Sequence, residues 1–553
     1  CYNTAIGRCA LRGSLSGCSN FAVGLAGLCS NWGGHHNTAI GQYALQCNTT
    51  GCQNFAVGVE ALCSNTTGGG NNAMGCLALN SNTTGGNNTA LGYFSLLSNT
   101  TGSYNAAIGS GALQGSLSGS HNFAVGYRSL YSNHGGCCNA AIGAYALNAN
   151  TTGIRNTGIG PYALNKNTTG TYNQALGYYA MSCNTTGNDN VAIGHSSMEQ
   201  NTTGNCNNAI GYAALNKNTT GHCNNVLGNR ALWSNTTGKE NNVLGTCSMY
   251  YNISGGFNNV MGQYALRTNI GGSYNNAMGY TALYSNTYGC HNNATGYEAL
   301  KMNTTGCYND AIGYYALKAN TTGCYNVAMG HKALQCNTTG ICNVGVGDWA
   351  LGANTTGHKN TAIGQQTLQS NTEGEYNVGV GYQSLLYSVS GDSNTAIGYR
   401  ALNENLGGCN NVAIGKATLQ RNTYGNENFA GGNNALAYNT TGAMNIGIGY
   451  DAGGNNTTGE ANVFMGPYAG QRNTTGSCNI AIGCCASYCN TTGSCNIALG
   501  LLALQHALTG CSNTAIGHCA LRENNGGNNN TAVGVNALQC NTSGLRNTAL
   551  GNG

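Results

Sequence analysis

Cys290, Cys307 and Cys324 stand 17 residues apart, as do Cys206 and Cys223, Cys478 and Cys495, and Cys1 and Cys18. If a 17-residue repeat stacks equivalent residues at the ~4.8 Å spacing of paired strands, each pair falls within the Cα separation of a disulfide. These nine residues are the disulfide candidates, and an oxidising compartment would be needed to staple repeat to repeat. Cys76, Cys183, Cys247 and Cys409 have no mate of this kind. Zinc is poorly served, because the chain offers no Cys-x-x-Cys and no paired His spacing.

A second chemistry is written in Asn-x-Ser/Thr words, the acceptor pattern for N-linked glycans. Those in the recurring turn begin at Asn48, Asn65, Asn82, Asn99, Asn150, Asn167, Asn184, Asn201, Asn218, Asn235, Asn252, Asn303, Asn320, Asn337, Asn354, Asn439, Asn456, Asn473, Asn490 and Asn541. Glycans there would form a row along one edge of the repeat array. The exceptions point first to a turn: Ser14-Leu15-Ser16-Gly17 and Ser388-Val389-Ser390-Gly391 keep the turn residues and have no Asn to modify. Elsewhere the sequence offers little chemistry. His35-His36 has no nearby acid at ligand spacing, carboxylates do not pair, and Gly345-Val346-Gly347 lacks the setting of a phosphate loop. We expect no enzyme and no cofactor.

These residues are positioned by one recurring unit. Asn37 to Gln53 reads Asn-Thr-Ala-Ile-Gly-Gln-Tyr-Ala-Leu-Gln-Cys-Asn-Thr-Thr-Gly-Cys-Gln, and Asn54 begins the pattern again. In lines of 17, Asn fills the first column from Asn3 to Asn547 and Gly the fifth from Gly7 to Gly551, with no insertion or deletion. A fixed period overrides the count of domains that 553 residues would otherwise suggest. The expectation is one continuous solenoid over 1–553, of 32 full units and partial units at both ends, with less regular coils near 428–487. A chain that starts and stops in mid-unit reads as a piece of something longer.

An invariant Gly in every unit opposes helix by roughly 1 kcal/mol each relative to Ala. Two short apolar words, Ala39-Ile40 and Ala44-Leu45, instead suggest two strands per unit, each pairing with its copy in the next coil. The fold class expected is therefore all-β: a parallel β-solenoid of about 33 coils, on the order of 155 Å long at the strand spacing. Gly in columns five and fifteen should take positive φ or permit close backbone approach, and Asn in column one should cap a turn and stack as a ladder. Columns three and eight are small and columns four and nine bulky. Either the bulky pair fills the coil, giving a lone rod, or the small pair does, and the bulky residues meet another chain in a bundle, most simply a trimer. Gly431 in column four, with Gly453, Gly470 and Ser487 in column nine, should make their coils thinner or distorted.

Charged residues are only 6% of the chain and the net charge is +4, without a run of Lys or Arg, which argues against nucleic acid and anionic membranes as partners. No apolar run approaches the ~18 residues of a membrane span. Many of the 33 Tyr fall in columns six, seven and seventeen, where they suit exposed strand positions and could stack on sugars.

The word Asn-x-Ala-Ile-Gly followed by Ala or Ser and Leu, as at Asn37–Gly41, Asn139–Gly143 and Asn513–Gly517, resembles the head repeats of YadA-like trimeric autotransporter adhesins and the similar repeats of phage-type and bacterial tail-fibre proteins. The resemblance implies a left-handed parallel β-roll, exposure outside the cell or on a virion, and a trimer. The chain departs from that pattern in its longer unit, its Asn-Thr-Thr-Gly turn and its many cysteines. From these readings we expect an extracellular structural fibre that self-associates, with a carbohydrate-gripping adhesin head as the alternative and ice binding behind it.

Overall fold

The computed structural model describes residues 2–553, so Cys1 lies outside the described residues. It is a parallel β-solenoid of 17-residue coils, with no helix among the described residues. The described residues form 33 three-residue strands, from β1 (Thr4–Ile6) to β33 (Thr548–Leu550). The chain divides into two units. Cys1–Asn275 carries β1 to β16 (Asn259–Met261), and Asn276–Gly553 carries β17 (Asn276–Met278) to β33.

Within the first unit each strand pairs in parallel with the next at zero slip, so Thr4 faces Phe21, Phe21 faces Thr38 and Thr38 faces Phe55. The second unit follows the same rule, with Asn276 on Asn293 and Asn293 on Asp310. Register is fixed because a slip of one residue would turn every buried column outward.

Only one of the two apolar words is a strand. Thr38–Ile40 is extended, whereas Ala44-Leu45 lies in a turn with Leu45 at φ 50°. The turn still bonds between coils: the Leu45 N–H donates to the Ala61 carbonyl at 2.9 Å and the Cys47 N–H to the Cys63 carbonyl at 2.9 Å. Left-handed conformations at Tyr43, Leu45 and Gln53 recur in the same columns along both units, each costing of order 1 kcal/mol for a residue with a Cβ. The inter-coil bonds hold them there.

The two glycine columns serve different needs. Gly41 has φ 137°, a region closed to other residues. Gly51 has no such φ, but a Cβ on it would collide with the carbonyl of Gly68 in the next coil and the amide of Asn48 in its own.

Neither of the two cores expected from residue size is the one formed. Ala39, Ala44 and Leu45 are fully buried, while Ile40 is 36% exposed. The reason is alternation along the strand: Ala39 points in, so Thr38 and Ile40 point out. Each coil is thus filled by one bulky and two small side chains, and the second bulky column lies on the outer face.

The coils expected to be thin are repacked. Where column nine becomes Gly453 and Gly470, column three becomes Phe464, which is buried and whose ring occupies the volume that leucines fill elsewhere. Gly431 faces open space, so its loss of a side chain marks the surface and leaves the core intact.

Candidate functional site

The interior polar columns are built from Asn. The Asn37 side-chain amide donates to the Gly51 carbonyl at 2.8 Å, and its oxygen accepts the Asn54 backbone N–H at 3.0 Å. Column twelve forms a second ladder. Asn48 Nδ2 donates to Asn31 Oδ1 in the preceding coil at 2.8 Å and to the Gly51 carbonyl of its own turn at 3.0 Å. Asn65 repeats the pattern at 2.7 and 2.9 Å, and Asn303 does so in the second unit at 2.8 and 2.9 Å.

This geometry removes the expected glycan row from the folded solenoid. Asn48 through Asn490 of the acceptor set are buried, and only Asn541 is half-exposed. An N-linked sugar replaces one amide hydrogen, and both hydrogens of Asn48 are already committed inside the coil. A sugar there would have to open the turn.

The cysteine columns are explained in another way. Parallel in-register stacking relates equivalent residues by translation, so their Cβ atoms are as far apart as their Cα atoms, ~4.8 Å, whereas a disulfide needs about 3.8 Å. Cys18, Cys206, Cys223, Cys307, Cys324, Cys478 and Cys495 are accordingly free thiols. In column sixteen the sulfur accepts the N–H of the same column one coil earlier. Cys290 N–H donates to Cys307 Sγ at 3.1 Å, and Cys307 N–H to Cys324 Sγ at 3.1 Å. Cys409 takes the Asp392 N–H at 3.3 Å in the same manner. Oxygen does the same work elsewhere: the Gly86 N–H donates to Ser103 Oγ at 3.0 Å and the Thr171 N–H to Asn188 Oδ1 at 2.7 Å. Column sixteen therefore often carries a short acceptor, a signal visible in its frequent Cys, Ser and Asn, though Gly69, Ile154 and Lys239 stand in it too. Burial pushes the Cys307 thiol up, with the Cys290 N–H offsetting part of the rise.

Outside, two kinds of row run along each unit. Column four is aliphatic on the outer face of the strands, with Met74 46%, Leu176 46% and Ile414 45% exposed, and in the whole chain only Thr295 and Gly431 break it. Between Asn208 and Met261 an Asn column and a Leu/Met column flank an open groove of about 300 Å³, lined also by Val226 and Val243. The second kind of row is aromatic. Tyr145 and Tyr162 stack at 5.2 Å between centroids and 13°, and Tyr308 and Tyr325 at 5.0 Å and 1°. Their faces are turned to one another, so each ring shows its edge to solvent and offers a sugar no open face within the row.

One constellation was missed in the sequence because its column mixes residue types where the cysteine columns repeat one. Column eleven brings Cys489, His506 and Glu523 together, with Cys489 Sγ 3.8 Å from His506 Nδ1 and His506 Nε2 3.9 Å from Glu523 Oε1. No protein-family model and no curated protein matches this chain.

Proposed function

We propose that the chain is a structural protein, the shaft of an extracellular fibre in which copies associate side by side through the outer face of the strands. The observation that carries this reading is column four. An outward, solvent-facing position would ordinarily tolerate polar residues, yet here it is aliphatic in coil after coil and never charged. Sixteen such strands in the first unit present roughly 1,000 Å² of apolar surface on one face, more than the few hundred Å² usual on a monomer and comparable with the ~800 Å² per partner of a stable interface. The in-register repeat supports a mechanical role, since backbone pairing recurs from coil to coil and no coil carries a grafted loop. The adhesin alternative would need open aromatic faces, which the stacked rows do not offer. Ice binding would need a flat row of hydroxyls on a strand face, whereas the Thr pair lies in the turn, with Thr49 Oγ1 donating to the Thr66 carbonyl at 2.9 Å and only Thr50 facing solvent.

Sedimentation and electron microscopy of the full chain test the proposal. Wild type should form laterally associated particles, and the triple variant Ile108→Lys, Ile142→Lys, Leu176→Lys should dissociate them while keeping the β circular-dichroism signal. A wild type that sediments as a monomer, or a triple variant that assembles as wild type does, would overturn it.

A further inference from the structure

Column eleven in the second unit reads Arg472, Cys489, His506, Glu523 over four consecutive coils. The in-register stack turns a spacing of 17 into side-by-side contact, so a guanidinium precedes the thiol and an imidazole follows it. Cys489 is buried at the wall of a cleft of about 330 Å³, lined also by His506, Leu508, Glu523, Asn525 and Thr542. The two nitrogens of His506 face different partners: Nδ1 lies 3.8 Å from the Cys489 sulfur and Nε2 3.9 Å from a Glu523 oxygen. With its proton on Nε2 toward the carboxylate, the ring presents the Nδ1 lone pair to the thiol, the order of a nucleophile, its base and an acid that biases the base, although 3.9 Å is an ion-pair contact and longer than a hydrogen bond. A metal does not suit the cluster, because thiol and carboxylate meet opposite nitrogens, and among the described residues no three His, Cys, Asp or Glu side chains converge to hold an ion.

We propose that Cys489, His506 and Glu523 form a thiol–imidazole–carboxylate relay that makes Cys489 an acyl acceptor for activated esters and thioesters. His506 Nδ1 takes the thiol proton, and the sulfur adds to the acyl carbon, forming an S–C bond. The tetrahedral centre then collapses with cleavage of the bond to the leaving oxygen or sulfur, which departs with the proton held by the imidazolium. The products are a thioester on Cys489 and a free alcohol or thiol, with no change of oxidation state. Glu523 is a positioning residue, since it acts through the ring.

The charges around the thiol act in opposite directions. Burial pushes the Cys489 thiol up, Arg472 draws it partly back, and Glu523 pushes it up again. Arg522 bears on the carboxylate, with Nε 3.6 Å from Glu523 Oε1, while donating to Gln505 Oε1 at 2.9 Å. The Arg472 guanidinium lies over the Tyr488 ring at 5.3 Å. An isolated thiol in this setting would be mostly protonated at neutral pH, so the base is what confers reactivity. A second Cys–His contact, His518 Nε2 to Cys519 Sγ at 3.4 Å, has no carboxylate within ion-pair distance of its imidazole among the described residues.

The test uses the full chain, p-nitrophenyl acetate as the acyl donor, and peptide mapping to follow each thiol. Cys495, which is exposed and has no imidazole beside it, serves as the internal reference. Cys489 should be acetylated at least tenfold faster than Cys495. His506→Ala should erase the advantage and Glu523→Gln should reduce it several-fold, both with unchanged thermal unfolding because these side chains are partly in solvent. Acetylation of Cys489 no faster than Cys495, or an advantage that survives His506→Ala, would overturn the proposal.

Discussion

The ring of Phe464 lies so close over Gly470 that a Cβ added to Gly470 would collide with it, and the same ring closes the space above Gly453. Three positions have thus exchanged volume: column three has gained an aromatic ring where two copies of column nine have lost a leucine. Phe464→Ala should leave a cavity in the core and cost about 3–5 kcal/mol. Adding Gly453→Leu and Gly470→Leu to it should recover most of the loss, because Leu already occupies the same backbone conformation in other coils, as at Leu436 with φ 50°. Equilibrium denaturation of the single and triple variants checks this. A triple variant less stable than Phe464→Ala would refute the exchange.

The Asn ladders should behave as buried hydrogen-bond networks. Asn235→Ala strips a bond from Asn218 Oδ1, a bond from the Gly238 carbonyl and the acceptor for Asn252 Nδ2. Each buried group left unmatched costs about 1–3 kcal/mol, so the variant should unfold well below wild type in a thermal melt. In the same ladder, expression in a glycosylating host should give folded material whose mass is unchanged by an amidase that removes N-linked sugars. A mass loss from folded protein would show that the turn opens.

The sulfur acceptors of column sixteen should be replaceable by oxygen. Cys307→Ser keeps a group for the Cys290 N–H, as Ser103 does for Gly86, and should change stability by less than about 0.5 kcal/mol. Cys307→Ala leaves that N–H without its partner and should cost about 1 kcal/mol more. Equal melting of the two variants would remove the acceptor role. Thiol titration of the native protein should in addition find Cys206, Cys223, Cys478 and Cys495 reduced under mild oxidation.

Glu298 gives a pH signature. Burial pushes its carboxyl up, but a hydrogen bond from Lys301 at 2.7 Å and the Lys318 ammonium 2.8 Å from its other oxygen outweigh that and hold it below the ordinary carboxylate range. A carboxylate depressed in the folded state stabilises the fold above its unfolded pKa, and that contribution is lost as pH falls through the folded one. Wild type should therefore lose stability on acidification more steeply than Glu298→Gln. Parallel urea curves at neutral pH and near pH 3 measure the difference, and equal slopes for the two proteins would contradict the pairing.

Much of the architecture was legible in the sequence because the repeat states it 33 times: strand pairing by 17, the close approach at Gly51 and the Asn37 ladder all follow from column identity. What could not be read was conformational. Nothing about Leu45 announces a left-handed backbone, since a lone Leu avoids it and only the bonds to Ala61 hold it. The second word therefore looked like a strand, and with that the inward and outward faces were misassigned. The thiols misled for a geometric reason, as the Cα spacing suits a disulfide while translation keeps the Cβ atoms too far apart. Cys489, His506 and Glu523 escaped because the columns were searched for like residues, cysteine above cysteine, and this one mixes three residue types.

The zero-slip pairing at Thr38 and Phe55 has a hereditary consequence. Any coil sits equally well on any other at the backbone level, so duplication or deletion of one whole repeat of coding sequence closes the stack again without a frameshift or a broken ladder. Length is then a trait that replication slippage can adjust in single steps. Column eleven marks the limit of that freedom: losing the coil that carries His506 would seat Glu523 directly on Cys489, keeping the fold and discarding the chemistry.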